Sequence, residues 1–168
     1  KQNKKNKNQR AKQKAKQKAK QRMTQEAKQK ANQRTTQEAN QKAIYYLALA
    51  DAYRNAGSYA SARVEVYNAL ELRSGWGEAY MNLGNIYISA AKSCGSDFDN
   101  STVYWVAVDS FKQALADEDT KDRASKSINT YSKYFPSKET CFFNGAETGQ
   151  SHTVGCWINK ATAVRTSD

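Results

Sequence analysis

Tyr46, Leu49, Ala50 and Tyr53 are followed 34 places later by Tyr80, Leu83, Gly84 and Tyr87. Self-similarity at that period confines the fold to stacked supersecondary units, because one such unit cannot bury its apolar face without a neighbour of the same kind. The spacing within the unit is helical. Tyr46, Leu49, Ala50 and Tyr53 fit one face of a first helix, Gly57 and Tyr59 mark a turn, and Ala62, Val66 and Ala69 fit a second helix. The small residues Ala50, Ala62 and Gly84 let helices approach closely, while Tyr and Leu fill the space between successive hairpins.

This period and residue order resemble the tetratricopeptide repeat, with residues 43–76 forming one full unit. A second unit begins at Gly77 with a helix around 78–91. It is interrupted over 92–101, and Ala107, Phe111 and Ala114 then restore the second-helix pattern 11 places later than in the first unit. Ala124, Ile128 and Tyr131 continue the period as a polar-faced capping helix that ends before Pro136. The expected fold is therefore all-α, a helical-hairpin solenoid of two repeats plus a cap over 43–135. Something must cover the outer face of 43–56. One period upstream of Ala43 lies Gln9, but Lys12, Lys16 and Asn32 stand where packing residues would be needed.

The chain's net charge of +11 is concentrated in its first quarter. Residues 1–42 hold 12 Lys, 3 Arg and only Glu26 and Glu38, a net of +13, while 43–168 carry 12 basic and 14 acidic residues. Glutamine recurs at every fourth position from Gln9 to Gln41, with Ala11, Ala15, Ala19, Ala27, Ala31 and Ala39 two places later. These are good helix formers, but a four-residue step drifts about 40° per repeat, so the alanines cannot hold one face. The arm is expected as a solvated helix or a disordered segment. Its functional reading is polyanion binding through Lys12, Lys14, Lys16, Lys18, Lys20 and Arg22 by counterion release from nucleic acid or an anionic polymer. No aromatic residue precedes Tyr45, so base stacking is not expected. The alternative is a solubilising tail or spacer.

Beyond Pro136 the helical period stops. Residues 151–158 and 161–166 read as two strands joined at Asn159-Lys160, with Val154, Cys156 and Ile158 on one face and Thr153 and Trp157 on the other. A lone hairpin is marginal, so it should fold back on the helices or extend another molecule. Three cysteines, Cys94, Cys141 and Cys156, allow one disulfide and a leftover thiol in an oxidising compartment, or three thiols in a reducing one. Without a CxxC pair, and with His152 the only histidine, zinc spacings do not occur. No run of eighteen apolar residues exists, which excludes a transmembrane helix. Lys1 opens the sequence without an initiator Met or an apolar signal segment, as expected of a processed or partial chain.

A closer resemblance rests on Trp76-Gly77-Glu78-Ala79-Tyr80, Ser93-Cys94-Gly95, Val103-Tyr104-Trp105, Tyr134-Phe135-Pro136 and, most specifically, Val154-Gly155-Cys156-Trp157-Ile158-Asn159. Together these look like the C-terminal region of tetratricopeptide-repeat proteins of the Bacteroidota cell envelope, over roughly residues 43–166. The resemblance implies a secreted, periplasmic or envelope-associated scaffold in which Cys94 pairs with Cys156, tying the inserted loop to the C-terminal hairpin. Such a bridge would contribute about 3–5 kcal/mol. Cys141 and the basic tetrads depart from the family pattern; Cys141 is then a buried thiol or an intermolecular link.

No catalytic constellation is apparent: there is no glycine-rich phosphate loop and no Ser, Cys or Thr beside an evident base, so a non-enzyme without cofactor or metal is expected. His152 reads as a surface residue. Asp97-Phe98-Asp99-Asn100 has half of a calcium loop's pattern but lacks its glycine and glutamate, and Asn100-Ser101-Thr102 matches a glycosylation acceptor. The positive expectation is a protein-binding groove lined by the first helices. By repeat position Leu47, Asp51, Arg54 and Asn55 face it from one hairpin, and Met81, Asn85, Ile88 and Ser89 from the next. Leu47 and Met81 stand where a carboxylate clamp would need lysine, so an acidic peptide terminus is not the expected ligand. The chain thus divides into a basic arm (1–42), repeats with a cap (43–135) and a hairpin tail (136–168). Its expected role is a protein-interaction scaffold. Self-assembly into a filament through repeat ends, arm or hairpin is the second reading, and polyanion binding by the arm the third.

Overall fold

The computed structural model describes residues 2–167, apart from the side chains of 2–9 and 11. Among the described residues are six α-helices and one two-stranded antiparallel sheet near the C-terminus. The chain divides into two units, residues 1–40 and 41–168.

The first unit belongs to helix α1 (Gln2–Asn55), and its described side chains are exposed from Arg10 to Glu38. Its one large apolar residue, Met23, is exposed as well. Thr24, Thr35 and Thr36 turn their hydroxyls back to carbonyls four residues earlier, the usual recourse of a threonine in a helix without packing partners.

In the second unit, residues 41–55 of α1 bury Ala43, Leu47 and Ala50. Gly57, at φ 76°, makes the tight turn into α2 (Tyr59–Leu72), which buries Ala62, Val66 and Ala69. Next comes α3 (Gly77–Ala90), buried on most of its surface, and then α4 (Asp97–Ala114). A side chain at Gly84 would collide with the Phe111 ring, so this glycine is what lets α3 and α4 close on each other. The Gly77 N–H donates to Asp117 Oδ2 at 2.8 Å, fixing the start of α3 to the turn after α4. Helix α5 (Lys121–Tyr131) packs on α4 through Tyr131, which stacks on Tyr104 and Phe111.

Three sequence expectations change. The 92–101 insertion is not all loop: a 3₁₀ turn over Ala91–Ser93 leads to Ser96, which caps α4 inside the expected interruption. The half calcium motif is consumed by that cap. Asp99 accepts from the Ser96 N–H at 3.0 Å and returns a capping box, and the Ser96 hydrogen bonds hold its carboxyl below the usual aspartate range. Beyond Pro136 a helix does recur: α6 (Lys138–Phe143), too short to display a period, is started by Ser137 accepting from the Thr140 N–H.

The third change concerns the strands. They are shorter than expected, β1 (Ser151–Val154) and β2 (Lys160–Ala163), in the register Ser151↔Ala163 to Val154↔Lys160. Residues 155–159 form the connection instead of a two-residue turn, because Cys156 and Asn159 adopt positive φ and leave the ladder. Val154 and Ile158 are buried but Cys156 is exposed, so the three do not share a face. The hairpin folds back on α4: the Trp105 indole N–H donates to the Arg165 carbonyl at 2.8 Å, and Arg165 pairs with Asp109 at 2.8 Å.

Candidate interaction surface

Cys94 and Cys156 form a disulfide with Cα atoms 5.3 Å apart. It joins the loop before α4 to the turn between the strands, the pairing implied by the envelope-protein resemblance. On the other side of that turn, Trp157 lies between Tyr59 and Tyr87, with ring centres 6.2 and 5.8 Å away, and Arg63 covers it at 5.0 Å. The bridge and this aromatic pocket hold one five-residue turn from two directions. Cys141 is buried in α6, outside the bridge.

The expected groove residues separate into two groups. Leu47 and Met81 are buried in the core, where taking each large apolar side chain out of water gains about 2–3 kcal/mol. Asp51, Arg54, Asn55, Asn85, Ile88 and Ser89 stay at least partly accessible. Asp51 ion-pairs with Arg54 at 3.1 Å and accepts from Asn82 Nδ2 at 3.0 Å, linking α1 to α3. Asn85 and Ser89 are exposed one turn apart, with the Ser89 hydroxyl bonded to the Asn85 carbonyl at 2.9 Å. The surviving surface is therefore uncharged along α3, with polar Asn85 and Ser89 beside the half-buried Ile88, and carries one internally neutralised pair on α1.

Sequence reasoning missed Asn82, which is buried with its Oδ1 lacking a hydrogen-bond partner. It also missed an open cleft of about 500 Å³ formed by Tyr67, Leu70 and Glu71 of α2, Tyr80 and Leu83 of α3, Gln113 of α4 and Lys160 of β2. Residues from four separate elements build it, so no local motif marks it. His152 is not a plain surface residue: half-buried, it meets Trp105 and Phe98 edge-on, at 5.5 and 5.8 Å between ring centres. Burial pushes the Tyr87 hydroxyl well above its ordinary range, and the Tyr104 hydroxyl upward too.

On the arm, Lys12, Lys14, Lys16, Lys18, Lys20 and Arg22 are all exposed. Their two-residue spacing turns each about 200° from the last, so the charge rings the helix instead of forming one stripe. Among the described residues, no group of three or more His, Cys, Asp or Glu side chains is placed to hold a metal ion. No helix among them is long and apolar enough to cross a membrane. No protein-family model, curated protein or solved structure matches the chain.

Proposed function

We propose that residues 43–135 are a tetratricopeptide-repeat module, two helical hairpins and a capping helix, acting as a non-enzymatic scaffold for protein–protein interaction in a bacterial cell envelope. The observation that carries this reading is the 34-residue correspondence between 41–55 and α3. Ala50 and Gly84 are both buried, Gly84 where α3 meets Phe111 of α4, while Asp51 and Asn85, one residue further on, both reach the surface. The Cys94–Cys156 bridge supports an oxidising compartment, where such bonds persist.

The groove offers hydrogen-bonding groups, from Asn55, Asn85 and Ser89, beside a neutralised Asp51–Arg54 pair and the half-buried Ile88. It favours an uncharged peptide or helix over an acidic terminus. The test is quantitative capture of proteins from native envelope extract by the full chain and by Asn85→Arg/Ser89→Arg, whose substitutions lie on exposed positions. Loss of a specific bound protein in the variant supports the reading, and identical capture by both proteins contradicts it.

Polyanion binding by the arm is a second reading, favoured by the full exposure of its basic residues. It predicts affinity for heparin or nucleic acid that falls steeply with salt and ignores base sequence. A filament built through repeat ends is less favoured, because α5 exposes Asp122, Ser125, Lys126 and Asn129 and so offers little apolar surface for end-to-end stacking.

A further inference from the structure

The 34-residue correspondence also exposes an imbalance. On α3, Ala79, Asn82, Leu83 and Ile86 are buried, at 0, 9, 2 and 0% exposure. Part of that burial comes from the preceding hairpin: Asn82 bonds to Asp51 of α1, and Leu83 shares a cleft with Tyr67 and Leu70 of α2. The equivalent positions on α1 are Tyr45, Ala48, Leu49 and Ala52, and all four are exposed, Tyr45 at 67% and Leu49 at 42%. Offsets of 0, 3, 4 and 7 place them on one helix face, and Ile44, 55% exposed, borders it. The surface that joins the second hairpin to the first is bare on the first.

We propose that this face pairs with the same face of a second copy, forming an antiparallel two-fold dimer. The stripe is self-complementary. A two-fold axis between residues 48 and 49 sets Leu49 against Ala48 of the second copy, and Tyr45 against Ala52, so each large side chain meets a small one. No charged residue occurs from 43 to 50. The charges just outside are already engaged: Lys42 lies over the Tyr46 ring at 5.7 Å, and Asp51 is held by Arg54 and Asn82. Over residues 43–50 two copies therefore meet with no charged residue in the contact. Heterologous stacking on the outer side of α5 would set this apolar stripe against Asp122, Ser125, Lys126 and Asn129, which leave it unsatisfied. One short helix pair is a small interface, so the dimer is reversible, with a dissociation constant on the order of micromolar. The inference does not depend on what the groove beside Asn85 binds.

Sedimentation velocity of the full chain, across concentrations spanning the micromolar range, tests it. The expected result is a concentration-dependent monomer–dimer equilibrium that Leu49→Lys weakens by about a hundredfold, since it sets two lysines near the axis. Ala52→Tyr alone should also weaken it, by opposing Tyr45 of the second copy with a second tyrosine, while Tyr45→Ala/Ala52→Tyr exchanges large and small residues and restores association to within about threefold. Circular dichroism melts establish that each variant is folded; the exchange pair keeps the test decisive if Leu49→Lys is not. A chain monomeric at all concentrations overturns the proposal. So do a dimer indifferent to Ala52→Tyr, one not restored by the exchange pair, and open-ended growth into fibres.

Discussion

Arg63 of α2 lies 5.0 Å from the centre of the Trp157 ring and donates a 2.6 Å hydrogen bond to the Ile158 carbonyl. One guanidinium thus ties α2 to the strand-connecting turn across 95 residues of sequence. Arg63→Ala removes both contacts and should destabilise the body by about 1–3 kcal/mol. Urea denaturation measures this, and a red shift of tryptophan emission in the folded baseline would locate the change at Trp157. An unchanged midpoint and spectrum would show that the turn is held without Arg63.

Gly84→Ala should be among the more damaging one-methyl changes in the chain, because the new Cβ meets the Phe111 ring across the α3–α4 crossing. Overpacking of this kind costs about 1–3 kcal/mol. Adding Phe111→Leu should recover part of the loss, since it removes the ring atoms in the way. Thermal melts of the single and double variants decide it; a double variant no more stable than the sum of its parts would contradict the crossing.

Cys94 and Cys156 should be resistant to alkylation in the native chain, and Cys141 should react only on unfolding. Mass spectrometry with and without denaturant reads both. Cys94→Ser/Cys156→Ser should cost about 3–5 kcal/mol, since the bridge spans 62 residues and its loss frees that loop in the unfolded chain. Finding all three cysteines alkylated without reductant would refute the bridge.

Alkaline pH should weaken the body through Tyr87. Burial raises this hydroxyl in the folded state above its ordinary value of about 10, so above that pH the unfolded chain loses its proton first and the folded state is progressively disfavoured. Stability should be unaffected by this group below pH of about 10 and fall above it. Tyr87→Phe removes that share of the slope. Because the hydroxyl is buried without a hydrogen-bond partner, the substitution should change stability at neutral pH by less than about 1 kcal/mol. Denaturation midpoints at neutral and alkaline pH for both proteins check the sign.

The elements that repeat were legible from sequence because their apolar spacing fills whole helices: α2 and α3 fall where Ala62, Val66, Tyr80 and Leu83 require. What was not legible arises where one residue is claimed by two constraints. Cys156 fits an alternating strand, but the bridge and a positive φ take it out of the ladder. Asp99 fits a metal loop, yet it caps a helix. Leu47 and Met81 take groove positions in a generic repeat, and here their apolar bulk turns them into the core. With only six residues, α6 has no period to read. The bare face of α1 was anticipated as a surface needing cover, whereas the buried contacts of α3 that define its chemistry appear only in three dimensions.

The most direct test of the scaffold reading is site-specific photocrosslinking in cells, with the reactive side chain at Asn85 or Ser89 on the groove and at Lys126 on the outside of α5 as control. A discrete protein adduct at Asn85 and Ser89, absent at Lys126, is the result predicted. Adducts that form equally at all three positions, or at none while the arm retains a partner, would contradict it.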